Sequence, residues 1–437
     1  MMKKKVLLFL AILTVQVGIS QTIDKVKLDT YFNVLEVNNK FMGSVALMKD
    51  GEIVYANQIG FSDIETKKKP DDNTKYRIGS ISKTFTATLV FKAIEEGRIK
   101  LEQTIENYFP SVRNSSEITI ADLLNHRSGI YNFTNDEVYL SYNTEHKSEE
   151  ELLSIISEYE SAFEPNTKSE YSNSNYVLLS FILEKLYNKS FAEILREKIV
   201  HPIGLKNTYF GGKIDIEKNE ANSYKGDWEI QTETDMSIPL GAGGIISDPS
   251  DILLFAEALF NHKIVSEERV TQMQTLKDNY GMGLFKMPFY EKYSFGHTGG
   301  IDGFSSMFGY FPEEKSAFAL TSNGTNFNNN DIAIALLSAL FNRDFTVPSF
   351  ETYKVSSDDL EVYLGIYSSP SFPLKITITK SGAILVAQAT GQPSFSLDAT
   401  EKDKFKFDQA GVVMEFDTKN NQMTLKQGGG VFVLAKE

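Results

Sequence analysis

The sequence predicts a mixed α/β chain in two folded parts: a large one in which strands precede and follow a helix-rich stretch, and a smaller C-terminal one made of strands alone. Three observations predict it. At 437 residues the chain is too long for one ordinary domain, and 41% hydrophobic content with 31 Phe and 20 Tyr is ample for large cores. Between about residues 85 and 245 apolar residues recur at helical spacing and the alternation of a sheet is missing. Past Phe341 the pattern switches to short alternating segments separated by turn residues.

Residues 1–20 read as a secretory signal: Met1-Met2-Lys3-Lys4-Lys5, the apolar run Val6 to Val17, then Gly18-Ile19-Ser20, with cleavage expected after Ser20. The apolar run is short for a bilayer span, so no membrane insertion is expected once it is removed. Its loss takes lysines and no acid from a chain of net charge −14. Such an acidic surface argues against nucleic acid and anionic membrane as partners. There is no cysteine, which excludes disulfides, thiol catalysis, thiolate metal sites and a lipid-modified N-terminal cysteine. An exported chain without disulfides points to a bacterial periplasm or exterior. His126, His146, His201, His262 and His297 are scattered, none in a His-Glu-x-x-His pattern, and no glycine loop for phosphate is present; neither metal nor cofactor is expected.

A helix is expected around Asp24 to Val37, followed by strands Gly43 to Met48 and Ile53 to Gln58 joined through Asp50-Gly51 as a hairpin turn. Tyr76-Arg77-Ile78-Gly79-Ser80-Ile81-Ser82-Lys83-Thr84-Phe85 reads as an extended entry, a glycine turn and the first turn of a long helix. Phe85, Leu89, Val90, Ala93 and Ile94 mark its core face, and Gly97 its stop. Ser80 and Lys83 are three apart, so on a helix they share a face. A serine there is a nucleophile beside a base, provided burial or a second cation keeps the lysine uncharged. An isolated Ser-x-x-Lys equally fits a helix start with a solvated lysine. This is the chain's only one.

Further helices are expected at Thr119 to Leu124, Glu149 to Tyr159, Asn175 to Tyr187 and Phe191 to Ile199. His126, in Leu123-Leu124-Asn125-His126-Arg127-Ser128-Gly129, is read as structural, a cap or hydrogen-bonded core residue. Tyr171-Ser172-Asn173 stands just ahead of a helix. A tyrosine near a serine nucleophile can relay a proton, and an asparagine amide can hold a carbonyl or the lysine. Tyr-x-Asn also occurs at Tyr31 and Tyr55, and Asn173 equally fits a helix cap. Gly241-Ala242-Gly243-Gly244 precedes a helix from Ser250 to about Phe260, and its glycines fit either binding or close packing. Phe295-Gly296-His297-Thr298-Gly299-Gly300 lies between the strand-like Tyr280 to Phe285 and the strands Ser305 to Phe311 and Ala317 to Ser322. A substrate backbone can lie along such a strand, and N–H groups there and at Ser80 can face an oxyanion. A turn with a surface histidine also fits.

Asn342 to Phe350, with Thr346-Val347-Pro348-Ser349, reads as a linker. Beyond it, strands are expected at Tyr363 to Tyr367, Lys375 to Lys380, Ala383 to Gln388, Phe395 to Leu397, Lys404 to Phe407, Val412 to Phe416, Met423 to Gln427 and Val431 to Ala435. They fit a small antiparallel β-barrel or sandwich. The expected division is a leader at 1–20, a large domain at 21–342, a linker at 343–355 and a β domain at 356–437.

Taken in order, Ser80-x-x-Lys83, Tyr171-x-Asn173 and His297-Thr298-Gly299 resemble the motifs of the serine penicillin-recognising enzymes. More narrowly they resemble the β-lactamase-related branch that holds class C β-lactamases, D-alanyl-D-alanine carboxypeptidases, D-aminopeptidases and related esterases. Supporting similarity runs through Leu123 to Gly129, His201-Pro202-Ile203-Gly204-Leu205, Gly243-Gly244 and Tyr280-Gly281-Met282-Gly283, from about residue 25 to 342. The resemblance implies a β-lactamase/transpeptidase-like α/β (α+β) fold, with a mainly antiparallel sheet built from both ends of that region, flanking helices and an inserted α region. The site would lie where the sheet and the α region meet. It further implies Ser80 as the acylated nucleophile, Lys83 and Tyr171 sharing the proton transfers, and Asn173 on the substrate amide. His297, Thr298 and Gly299 would form the substrate strand, and the N–H groups of Ser80 and Gly300 the oxyanion hole. One position departs from the pattern: class C β-lactamases carry Lys-Thr-Gly where this chain has His297. A largely neutral histidine anchors a carboxylate weakly, so the expected activity is that of a peptidase on a D-amino-acid peptide or of an esterase. A β-lactamase with weak turnover and a non-catalytic ligand sensor are the alternatives. Tyr363-Leu364-Gly365-Ile366-Tyr367 and Thr390-Gly391-Gln392-Pro393 resemble the lipocalin-like C-terminal domain of some of these hydrolases. Ligand binding, cleft cover and a plain stability module all stay open for it, and the sequence does not fix the oligomeric state.

Overall fold

A six-stranded antiparallel sheet, assembled from two distant stretches of chain, forms the backbone of the large part in the structure, a computed structural model that describes residues 23–437. The expected leader at 1–20 lies outside the described residues. β1 (Phe41–Lys49) and β2 (Glu52–Ile59) make the first hairpin. Its turn residues Asp50 and Gly51 sit at φ 51° and 80°, the left-handed pair a two-residue hairpin requires. β3 (Phe285–Phe289), β4 (Lys292–Ile301), β5 (Phe304–Phe311) and β6 (Ser316–Thr325) come from beyond the helical region. The strand order is β2-β1-β6-β5-β4-β3, with Val45 opposite Leu320 and His297 opposite Phe308.

Alternation along the strands sends side chains to two cores. On one face Val45, Leu47, Phe318 and Leu320 meet Leu28 and Phe32 of α1 (Lys25–Val37) and the helix Asn329–Leu340. On the other, Ala46, Met48, Ala317 and Ala319 join a larger cluster with the helices of the inserted region. At the centre of that cluster lies α2 (Ser82–Glu95), buried continuously from Ser82 to Phe91. A helix with no solvated face must satisfy every polar side chain internally. Accordingly Thr84 Oγ1 donates to Gly283 O at 2.8 Å and Thr86 Oγ1 to Gly241 O at 2.7 Å. α3 (Asn173–Tyr187) packs beside it and is buried from Ser174 to Leu183.

The glycines of Gly241 to Gly244 serve close packing. A Cβ on Gly241 would fall 2.3 Å from Ser180 Oγ and 2.5 Å from Thr86 Oγ1. Two expected elements differ. The stretch Tyr280 to Phe285 is irregular, because Gly281 packs on the Met273 carbonyl and Gly283, at φ 78°, packs on Ala87 and the Lys83 carbonyl; the strand starts only at Phe285. The helix expected over Phe191 to Ile199 ends at Leu195 and continues as a wider π turn to Val200.

C-terminal to these, eight strands between Gly365 and Lys436 close in sequence order into an antiparallel barrel. Of the two arrangements that the alternating pattern fits, the chain adopts the barrel. Its interior is built on Ile378, Leu385, Leu397, Met414 and Met423, with Tyr363, Phe405 and Phe416 packed at its aromatic centre. Lys40 reaches Asp408 of the barrel at 3.2 Å. Among the described residues no helix is long and apolar enough to cross a membrane.

Candidate active site

The site begins at the turn between sheet and helix. Tyr76 and Arg77 pair with the short strand Ile245–Ser247, and Ile78 N donates to Ile245 O at 3.0 Å. Gly79, at φ 49°, then swings the chain into a single 3₁₀ turn over Gly79–Ile81, so Ser80 sits immediately ahead of α2 rather than inside it. β4 runs directly against this turn. A Cβ on Gly79 would fall 2.7 Å from Gly300 N, and one on Gly299 would fall 2.1 Å from Ile78 O. Only glycine lets the two backbones approach so closely. Ser306 Oγ donates to Ile78 O at 2.8 Å and fixes the contact.

Ser80 Oγ lies 2.9 Å from Lys83 Nζ and 2.7 Å from Tyr171 Oη, which donates to it. Lys83 is 0% exposed. Its Nζ also lies 2.8 Å from Asn173 Oδ1 and 2.7 Å from Ala242 O. Burial holds its pKa well below the ordinary lysine value, with no carboxylate to oppose the effect. Nζ thus faces three oxygens, Ser80 Oγ, Asn173 Oδ1 and Ala242 O; with two N–H groups on the carbonyl oxygens, loss of one proton leaves a lone pair facing the serine hydroxyl. Tyr171 is 36% exposed, yet desolvation raises its phenol above the usual range, so it stays protonated and donates. Asn173 opens α3, where it takes Lys83 on Oδ1 and donates from Nδ2 to Thr134 Oγ1 at 2.9 Å.

Beneath Tyr171 is a buried cluster of rings. His297 is 1% exposed, with Nε2 3.2 Å from Tyr280 Oη and Nδ1 against the Thr298 carbonyl. Burial pushes its pKa down to about 3, so the ring is neutral. His126, also 1% exposed, packs with its ring centroid 4.5 Å from that of Tyr171 and 4.6 Å from that of Tyr280. Thr298 is exposed and Gly299 half-buried on β4.

Ser80, Asn173 and Gly300 line a cleft of about 470 Å³, whose walls include Phe133, Tyr139, Ile238 and Pro239. Lys83 and His297 are buried behind this lining, while the exposed Tyr171 and Thr298 and the half-buried Gly299 are not part of it. Sequence reasoning thus named residues that the fold brings together at Ser80, and it missed the frame around them. Arg77 is buried and pairs with Asp302 at 2.8 Å and Glu233 at 3.0 Å. Asp302, which lines the cleft, in turn accepts from Thr234 Oγ1 at 2.7 Å. The signal available was a charged residue inside the apolar entry Tyr76-Arg77-Ile78, since a buried arginine demands partners. Nothing local says which acids supply them.

Residues 40–342 match the beta-lactamase family. Over 425 residues the chain is 24% identical to penicillin-binding protein 4* of Bacillus subtilis, covering 89% of this chain and 93% of that protein. It is 25% identical over 322 residues to the teichoic acid D-alanine hydrolase of Staphylococcus aureus, covering 70% and 75% respectively. Among solved structures, the D-amino acid amidase of Ochrobactrum anthropi complexed with D-phenylalanine superposes with a TM-score of 0.64 at 27% identity, over 72% of this chain and 99% of that one.

Proposed function

The chain belongs to the beta-lactamase family, and on that premise we propose that it is an exported serine hydrolase that forms an acyl-enzyme on Ser80 and cleaves an amide or ester of a D-amino acid. The observation that carries this reading is the hydroxyl of Ser80 held between the fully buried amine of Lys83, whose pKa burial depresses, and the phenol of Tyr171.

In the first half-reaction Ser80 Oγ bonds to the substrate carbonyl carbon as its proton passes to the Lys83 lone pair. The negative charge on the carbonyl oxygen is met by the backbone N–H groups of Ser80 and Gly300. The leaving nitrogen or oxygen then departs with a proton supplied through Tyr171, which is restored from Lys83. Water reverses the sequence: Lys83 and Tyr171 take its proton, the ester carbon is attacked, and Ser80 leaves as the hydroxyl. Asn173 steers this cycle by fixing Lys83 and facing the cleft.

Two features favour a D-amino-acid amide or ester over a β-lactam. Two of the three relatives are named for D-alanine or D-amino acid substrates, the third for penicillin binding without hydrolysis in its name. His297 is neutral and tied to Tyr280, so it offers the cleft no cation for a β-lactam carboxylate. Export rests on the leader pattern at 1–20, and N-terminal sequencing of the secreted protein tests it. The activity is tested with a panel of D-alanyl peptides, D-amino-acid amides, short-chain esters and a chromogenic cephalosporin, run on wild type and Ser80→Ala. Turnover of a D-amino-acid amide or ester that vanishes in Ser80→Ala supports the reading. Slow acylation without turnover would make the protein a ligand sensor, and equal turnover by both proteins would remove Ser80 from the chemistry.

A further inference from the structure

We propose that His126 is a positioning residue that aims the Tyr171 hydroxyl at Ser80, an inference that rests on the acyl-transfer reading above. Tyr171 lies next to the end of an irregular stretch, residues 160–172, that contains neither helix nor strand. Its placement therefore has to come from contacts, and three of them converge from one residue. Glu170 N donates to the His126 carbonyl at 2.9 Å, and Ser172 N donates to His126 Nδ1 at 3.2 Å. The His126 ring lies between these two bonds and packs on the Tyr171 ring, centroids 4.5 Å apart and planes tilted by 36°. The residues before and after Tyr171 and its side chain are all held by His126.

The backbone of His126 is arranged for this. Its φ is 58°, a left-handed conformation uncommon outside glycine, and such strain persists only where the surroundings over-determine it. The tautomer is determined as well. Nδ1 faces two donors, Ser172 N and Asn175 Nδ2, each at 3.2 Å, so it must accept and the ring proton sits on Nε2. Asn175 is itself oriented, because its Oδ1 accepts from Ser128 Oγ at 2.6 Å. The imidazole also packs against Tyr280, at 4.6 Å between centroids, and the Tyr280 ring in turn meets that of Tyr171 edge-on at 6.3 Å. The imidazole makes no contact with Ser80 and moves no proton. It acts through Tyr171, whose Oη reaches Ser80 Oγ at 2.7 Å.

The test is a double-mutant cycle of His126→Asn and Tyr171→Phe, read as the rate at which a fluorophosphonate probe labels Ser80 and as kcat and KM on p-nitrophenyl acetate, with Tm as the fold control. Asparagine tolerates the left-handed backbone and keeps an acceptor near Nδ1, but it removes the ring face. We expect His126→Asn to lower labelling and kcat by on the order of ten- to a hundredfold, the effect of an ångström-scale misplacement, with KM little changed. In the Tyr171→Phe background the same substitution should cost nothing beyond about twofold, because no hydroxyl remains to be aimed. Equal losses in both backgrounds, or a wild-type rate in His126→Asn, would overturn the positioning role while leaving acyl transfer intact. Failure of the wild type itself to label would overturn both. If the asparagine variant does not fold, His126→Gly, which accepts the same φ, takes its place in the cycle and the same outcomes decide.

Discussion

Replacing Lys83 by methionine probes the chemistry of the buried amine with little change of volume. The variant loses the amine, 2.9 Å away, that takes the Ser80 proton in the proposed mechanism. General-base catalysis contributes about 10²–10⁴ in rate, which at about 1.4 kcal/mol per decade is roughly 3–5.5 kcal/mol of barrier. Stability changes through two opposing contributions. Asn173 Oδ1 and Ala242 O lose their donor, at about 1–3 kcal/mol for each acceptor left unsatisfied. Against this, a buried amine without a counter-ion is removed. The expected fall in Tm is no more than about 10 °C for a protein of this size. Linkage gives a further signature. Lys83 titrates lower when folded than when unfolded, so between those two values the unfolded chain binds the extra proton and wild-type stability rises with pH. The methionine variant lacks that slope, and its Tm should compare most favourably with wild type at low pH. The assay is fluorophosphonate labelling across pH beside thermal melts. Labelling of Lys83→Met at more than about a tenth of the wild-type rate would refute the assignment of Lys83 as the base.

Further outcomes follow from the same structure. Gly299→Ala puts a methyl 2.1 Å from Ile78 O and 2.4 Å from Ser306 Oγ, so it should destabilise by about 1–3 kcal/mol or more and lower labelling by displacing the Ser80 turn; melting and labelling check both. Arg77→Met leaves Asp302 and Glu233 without their cation and should cost about 3–5 kcal/mol, seen in denaturant unfolding. Asp248, whose carboxyl burial raises to about 6, is stabilising while protonated and loses that contribution as pH rises from its ordinary 3.8 through about 6. Asp248→Asn should therefore gain on wild type in Tm between pH 4 and 7, and a difference that stays flat over that window would contradict the shift.

The legibility of the chain tracks how local the deciding physics is. The Asp50-Gly51 hairpin, α2, α3 and all eight barrel strands declare themselves through turn chemistry and periodicity, and they are found within a few residues of where the pattern puts them. The helix Asn329–Leu340 does not stand out in the sequence, because its run Ile332 to Leu340, apolar except for Ser338, lacks a polar stripe to reveal its period. The Tyr280 strand failed because long-range packing of Gly281 and Gly283 overrides the local pattern. At the site, the short spacing Ser80–Lys83 is visible by eye. The approach of Tyr171 and Asn173, some 90 residues away, is not a property of any local segment. The same holds for the Arg77–Asp302 pair, 225 residues apart, and for His126, whose sequence context suggests a helix cap while its contacts form a clamp around Tyr171.

The claim on which the rest depends is that one serine carries the substrate's acyl group. Intact-mass spectrometry of the wild type, acid-quenched in the first turnovers of an activated D-amino-acid ester, tests it most directly. The account predicts a mass increase equal to the acyl group, mapped to the peptide that holds Ser80 and missing from Ser80→Ala. An adduct on another residue, or steady turnover with Ser80→Ala as active as wild type, would contradict it.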